Sequence, residues 1–124
     1  MKKVIFKLFS IIAVLLLMIQ LASCKSISKD DAKANLENAG YTVTVMDGNE
    51  FADSDKNSFT IMSSELDYYL YAEKDSEKIH IFFFVTIEQA DNNMSFIHYD
   101  LPASGQINNV VYYGTKQAVK DAKI

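Results

Sequence analysis

The run Ile79-His80-Ile81-Phe82-Phe83-Phe84-Val85 constrains this chain most, because His80 is its only polar residue. Its length, its β-branched and aromatic content and the polar segment "EKDSEK" before it read as a strand. Successive side chains of a strand point to opposite faces. Ile79, Ile81, Phe83 and Val85 therefore share one face, while His80, Phe82 and Phe84 share the other. The alternating segments Tyr41–Val45 and Leu66–Ala72 extend both sets. Val43, Val45, Leu66, Tyr68 and Leu70 join the first face, a core to be covered by helices. Thr42, Thr44, Asp67, Tyr69 and Tyr71 join the second, which is too polar for an ordinary core and too aromatic for open water.

Three readings compete for that second face. A helix or the acidic segment "DGNEFADSDKNS" covers it, or it is a homodimer face, or it is a concave aromatic platform for a ligand. On the last two, Tyr69, Tyr71, His80, Phe82 and Phe84 form a candidate binding face for a partner protein, a peptide or an envelope glycan.

Helical signals complete the order. Ser28 with Asp31 resembles a capping box, Ala32, Leu36 and Ala39 follow at helical spacing, and Gly40 stands where a helix ends, so a helix is expected from about Lys29 to Ala39. Asp47-Gly48 reads as a turn, and Phe59-Thr60-Ile61 as an optional short strand. Thr86 with Gln89 is a second capping-box pattern, with Ile87, Ala90, Met94 and Ile97 along one face and Leu101-Pro102 beyond its end. "ASGQ" reads as a loop before a last strand around Val110–Tyr113. Gly114-Thr115 then opens a short helix carrying Ala118, Val119 and Ala122. The order α-β-(β)-β-β-α-β-α predicts an α+β domain over 29–124: a small antiparallel or mixed sheet of four to five strands covered by about three helices.

The first 24 residues read differently. Lys2, Lys3 and Lys7 precede a nearly unbroken apolar run from Leu8 to Ile19, and Leu21-Ala22-Ser23-Cys24 follows. A basic start, a short apolar middle and small residues before a break have the layout of a secretory signal peptide. The run is shorter than the ~20 residues a spanning helix needs. Leu21, Ala22, Ser23 and Cys24 resemble the lipobox of bacterial lipoproteins. That resemblance implies that 1–23 is cleaved, that Cys24 is acylated through its sulfur, and that 24–28 is a short lipidated tether. Cys24 is the only cysteine, so it has no disulfide partner within the chain, and nothing near it in the sequence offers a base to activate a catalytic thiol. Two or more acyl chains convert marginal membrane binding into stable anchoring. The expected location is extracytoplasmic, lipid-anchored to the bacterial cell membrane, with the domain held close to the headgroups.

Without Lys2, Lys3 and Lys7 the remainder carries nine lysines against 16 acidic side chains, a net charge of −7, and no arginine. That balance argues against nucleic acid as a partner and against a polybasic second anchor. It also lacks the planar fork used for bidentate phosphate recognition.

Candidate chemical sites are few. Asp53, Asp55 and Asn57 fit the first half of a calcium loop, but Ser58 replaces the turn glycine and Ser64 the bidentate glutamate, so a solvated acidic loop is the expectation. His80 and His98 lack the spacing of a local metal pair, although Asp67 would join His80 if their strands were neighbours. No nucleophile elbow, Gly-rich phosphate loop or His-Glu metal helix is present in the sequence, and no cofactor is expected. The leading expectation is a non-enzymatic binding or interaction module. The alternatives are a small envelope hydrolase using His80 or His98 with a carboxylate, and an inhibitor or immunity-type lipoprotein whose acidic surface masks a basic partner.

Overall fold

The computed structural model describes residues 27–54, 63–94 and 102–124. Leu21, Ala22, Ser23, Cys24, Asp55, Asn57, the segment 59–61, Ile97 and His98 lie outside them. The described elements are α1 (Lys29–Asn38), β1 (Thr42–Asp47), α2 (Gly48–Ala52), a 3-10 turn (Ser63–Glu65), β2 (Leu66–Lys74), β3 (Glu77–Phe84), α3 (Ile87–Asn93), β4 (Ala103–Ile107), β5 (Val110–Gly114) and α4 (Lys116–Asp121). The strands make one five-stranded sheet in the order β1-β2-β3-β5-β4, with every neighbouring pair antiparallel. This is the α+β class expected from the sequence.

Local chemistry sets the boundaries. The Ser28 hydroxyl accepts from the Asp31 N–H at 3.1 Å and starts α1. At its other end Gly40 adopts φ +93°, its N–H donates to Glu37 O, and the Tyr41 N–H donates to Leu36 O. That is a Schellman closure, and only glycine takes this φ without strain. Thr86 and Gln89 form the full reciprocal capping box of α3. Two-residue loops join β2 to β3 and β4 to β5, with Asp75 and Asn108 each at φ 54°.

Both faces of the sheet are core. On the first, Leu70, Ala72, Ile79, Ile81, Phe83 and Val110 pack under Ala32 and Leu36 of α1 and Ala118 of α4. On the second, Tyr69, Tyr71, Phe82, Phe84, Val111 and Tyr113 pack under Phe51 of α2 and Ala90 of α3.

Several expectations are corrected. Asp47-Gly48 is not a strand-ending turn: the Asp47 carboxylate accepts from the Glu50 N–H at 2.8 Å and caps α2. The segment "DGNEFADSDKNS", whose acidity predicts that it stays out of the core, contributes Phe51, which is fully buried. "ASGQ" is not a loop but most of β4, whose backbone pairs with β5 although few of its side chains favour a strand. The register slips between Leu66 and Tyr68, so Leu66 joins the second core while Tyr68 stays on the first. A bulge breaks period-two counting in this way. Val85 lies past the end of β3 and is 59 % exposed, and Ile87, expected on the inner face of α3, is 53 % exposed. Thr115 occupies the N-cap of α4 without a side-chain cap. Its hydroxyl donates to Glu77 and accepts from the Lys78 N–H instead, tying α4 to the β2–β3 hairpin.

A Cβ at Gly114 would stand 2.5 Å from the Lys78 carbonyl oxygen and 3.0 Å from Ile79 Cα. Both are backbone of the central strand, so relief requires the sheet to shift. Gly114→Ala is expected to lower the unfolding free energy by about 1–3 kcal/mol, read as an earlier urea midpoint at unchanged slope.

Candidate functional site

The aromatic face lies across the middle strands. Cross-strand pairing sets Thr44, Tyr71, His80, Tyr113 and Ser104 in one row from edge to edge, and Met46, Tyr69, Phe82, Val111 and Gln106 in the next. The second row is dry: Tyr69 and Phe82 are fully buried, as is Phe84 further along β3. Phe51 descends from α2 onto them, with ring centroids 4.7 Å from Tyr69 and 5.9 Å, edge-on, from Phe82.

The first row is the rim of that core. His80 is half-buried, stacked on Tyr113 at 4.5 Å with the planes 3° apart, and Tyr71 leans on it at 4.9 Å. Its Nδ1 lies 2.7 Å from the Tyr69 hydroxyl, which gives that buried phenol a polar partner. The Tyr71 hydroxyl donates to Glu73 at 2.9 Å. Burial, and then the bond to Glu73, push the Tyr71 pKa up to about 12. On the other side of the sheet Tyr41 is pushed up further, by burial and by its 2.8 Å bond to Asp121.

The sequence-expected binding residues are thus brought together, but under cover. Of the three readings weighed for this face, the geometry matches the covered one: α2, from the acidic segment, and α3 lie on it. Tyr69, Phe82 and Phe84 present no open platform, and Tyr71 is 8 % exposed. Asp67 does not join His80. Tyr71 is the residue opposite His80, and Asp67 stands at the bulge four residues away, about 13 Å along the strand. Asp53 is the C-cap of α2. Among the described residues no group of three or more His, Cys, Asp or Glu side chains is placed to hold a metal ion, and no helix is long and apolar enough to cross a membrane.

The sequence reading missed the fastening of the helical cover. Asn93, a buried polar residue of α3, donates to the Glu65 carboxylate at 2.6 Å and to Gln89 O at 2.8 Å. Gln106 of β4 donates to Asp91 at 2.6 Å. These bonds fix an acidic layer: Asp47, Glu50, Asp53, Glu65, Asp67, Glu88 and Asp91 lie on α2, the 3-10 turn, α3 and the adjoining strand ends. All described lysines lie elsewhere, on α1, on the β2–β3 hairpin and on α4 with its C-terminal turn. Lys29 sits over the Tyr68 ring at 3.6 Å, and the Lys74 ammonium donates to Ala39 O at 2.7 Å. Two shallow clefts, of 250 and 270 Å³, lie between α1 and the C-terminal turn, on the face opposite His80.

Comparison with known proteins returns no match of the chain to a family model, to a curated protein or to a solved structure.

Two outcomes follow from this geometry. Phe51→Ala is expected to cost about 3–5 kcal/mol in urea unfolding, because it removes the ring that seats α2 on the second core. Tyr41 and Tyr71 hold their protons more tightly folded than at the ordinary 10.0 of an unfolded chain. Their contribution to stability is therefore complete below pH 10 and is lost as pH climbs toward 12 and beyond. Phenolate absorbance should show these two groups titrating with alkaline unfolding, and Tyr71→Phe should remove part of that pH dependence.

Proposed function

We propose that the chain is a membrane-anchored extracytoplasmic lipoprotein, held through acyl chains on Cys24, whose domain is a non-enzymatic binding module. The anchor rests on the Lys2-to-Cys24 layout and the lipobox resemblance. The one structural observation that supports a binding role is the segregation of charge: an acidic layer fastened over the second core, with the described lysines outside it. Charge held on a rigid surface steers a complementary partner and rejects like-charged ones. The partner that fits is a protein or peptide with a basic surface, which is also the partner of an inhibitor or immunity-type lipoprotein.

The hydrolase reading draws less support. The contacts of His80 with the Tyr71 and Tyr113 rings and with the Tyr69 hydroxyl place it on the rim of the second core, where packing and the partnering of a buried phenol account for it.

Capture of envelope proteins by the membrane-bound chain tests the binding role. A basic partner should be retained at low salt, weaken steeply as salt rises, and be lost on combining Glu50→Gln, Asp67→Asn and Glu88→Gln, three exposed positions of the acidic layer, in a protein whose circular dichroism spectrum is unchanged. Capture that ignores both salt and these substitutions would contradict the acidic-surface reading. Loss of function in His80→Gln with capture and folding retained would favour the hydrolase instead.

A further inference from the structure

We propose that β1 is the seam of a homodimer in which two copies join their sheets edge to edge. β1 and β4 are the outer strands of the sheet, and no described strand lies beyond either. An edge strand offers a row of backbone donors and acceptors to any chain that can align with it. Natural proteins therefore guard edges with lysine, proline, bulges or short length. β4 has such protection: Pro102 precedes it, Gly105 interrupts it, and Gln106 is tied to Asp91 and to Asn108 O. β1 has none. Its sequence Thr-Val-Thr-Val-Met-Asp is rich in β-branched residues, and it pairs with β2 from Thr42 to Asp47 without a slip in register.

The side chains of β1 are also incompletely covered on both faces. Val43 and Val45 pack against the first core and Met46 against the second, yet all three remain partly exposed, and Thr42 and Thr44 are open. One added strand would complete both cores at once.

A second copy fits because the strand is self-complementary. In the antiparallel register that sets Thr44 against Thr44 of the second copy, Val43 meets Val45 on the first face and Thr42 meets Met46 on the second. The strand's one charged residue, Asp47, falls opposite Tyr41 rather than another carboxylate. The two-fold axis of this pairing stands perpendicular to the sheet, so it keeps both first faces on the same side. α1 lies on that face, and Ile27 at its start packs against the first core. Both copies of α1 then start on one side of a continuous ten-stranded sheet, which suits two chains anchored in the same bilayer, where confinement raises the effective concentration of each copy for the other. This last argument rests on the anchoring proposed for Cys24; the seam itself does not.

Directly opposed residues of an antiparallel pair have Cα atoms about 4.5–5.5 Å apart, within the span of a disulfide. The experiment is mild oxidation of the full chain in its native membrane, followed by non-reducing electrophoresis of Thr44→Cys, Thr42→Cys, Ser104→Cys and the unsubstituted chain. Thr44→Cys should convert most of the protein to a disulfide dimer. Thr42→Cys lies about 13 Å from its counterpart in this register and should stay monomeric, as should Ser104→Cys on the other edge. Dimer at Thr44 no greater than at Ser104, or equal at every position, would overturn the seam. A dimer of the unsubstituted chain would report a free Cys24 thiol and overturn the anchoring instead, leaving the excess at Thr44 to decide the seam. Thr44→Lys, at an exposed position, should shift the detergent-extracted protein from dimer to monomer mass with an unchanged circular dichroism spectrum, and a dimer that survives it would also overturn the proposal.

Discussion

The fold depends on one strand that is apolar on both sides. Ile79, Ile81 and Phe83 of β3 face one way and Phe82 and Phe84 the other, so neither face of the sheet can be left to water. The chain meets that demand with short helices, α1 and α4 on one side and α2 and α3 on the other. Helices of this length are marginal alone. They persist because each is pinned to the sheet: α2 by the Phe51 ring, α3 by Asn93 and Asp91, α4 by the Thr115 hydroxyl on the hairpin, and α1 by Leu36 under a Schellman closure.

Much of this was legible in the residues, for reasons that can be named. Ser28, Gly40, Thr86 and Gln89 each have a single role at a helix end, and each occupies it. β2, β3 and β5 announce themselves by dense β-branched and aromatic residues. The misses share a cause, which is that tertiary structure outvoted local chemistry. Asp47-Gly48 is equally good as a hairpin turn and as a helix start, and what decides is the landing place for Phe51, four residues on. Ala103, Ser104, Gly105 and Gln106 have almost no strand preference and are extended because β5 pairs with them. Leu66 changed face through a bulge that no alternation count could reveal.

The candidate site was half legible. Tyr69, Tyr71, His80, Phe82 and Phe84 do share one face, as period two requires, and the odd mixture of rings and polar groups has a physical explanation. His80 and Tyr71 sit on the rim of a buried layer, where a ring contributes packing and its heteroatom still finds a partner in Tyr69 or Glu73. The acidic character of the cover, separated from the lysines of α1 and α4, needed the topology before it could be seen, since along the sequence the charges simply alternate in blocks.

With both faces of the sheet given to core, the proposed functions fall on the acidic layer, the β1 edge and whatever holds the chain in place. The last is the most decisive for the whole reading, because a domain tied to a bilayer meets different partners from one that is free. The most direct measurement is intact mass and N-terminal peptide analysis of the protein extracted from its native membrane. The expected protein begins at Cys24, carries the added mass of a diacylglyceryl group on its sulfur, and lacks residues 1–23. A chain that retains Met1, or that shows Cys24 as an unmodified thiol, would contradict it.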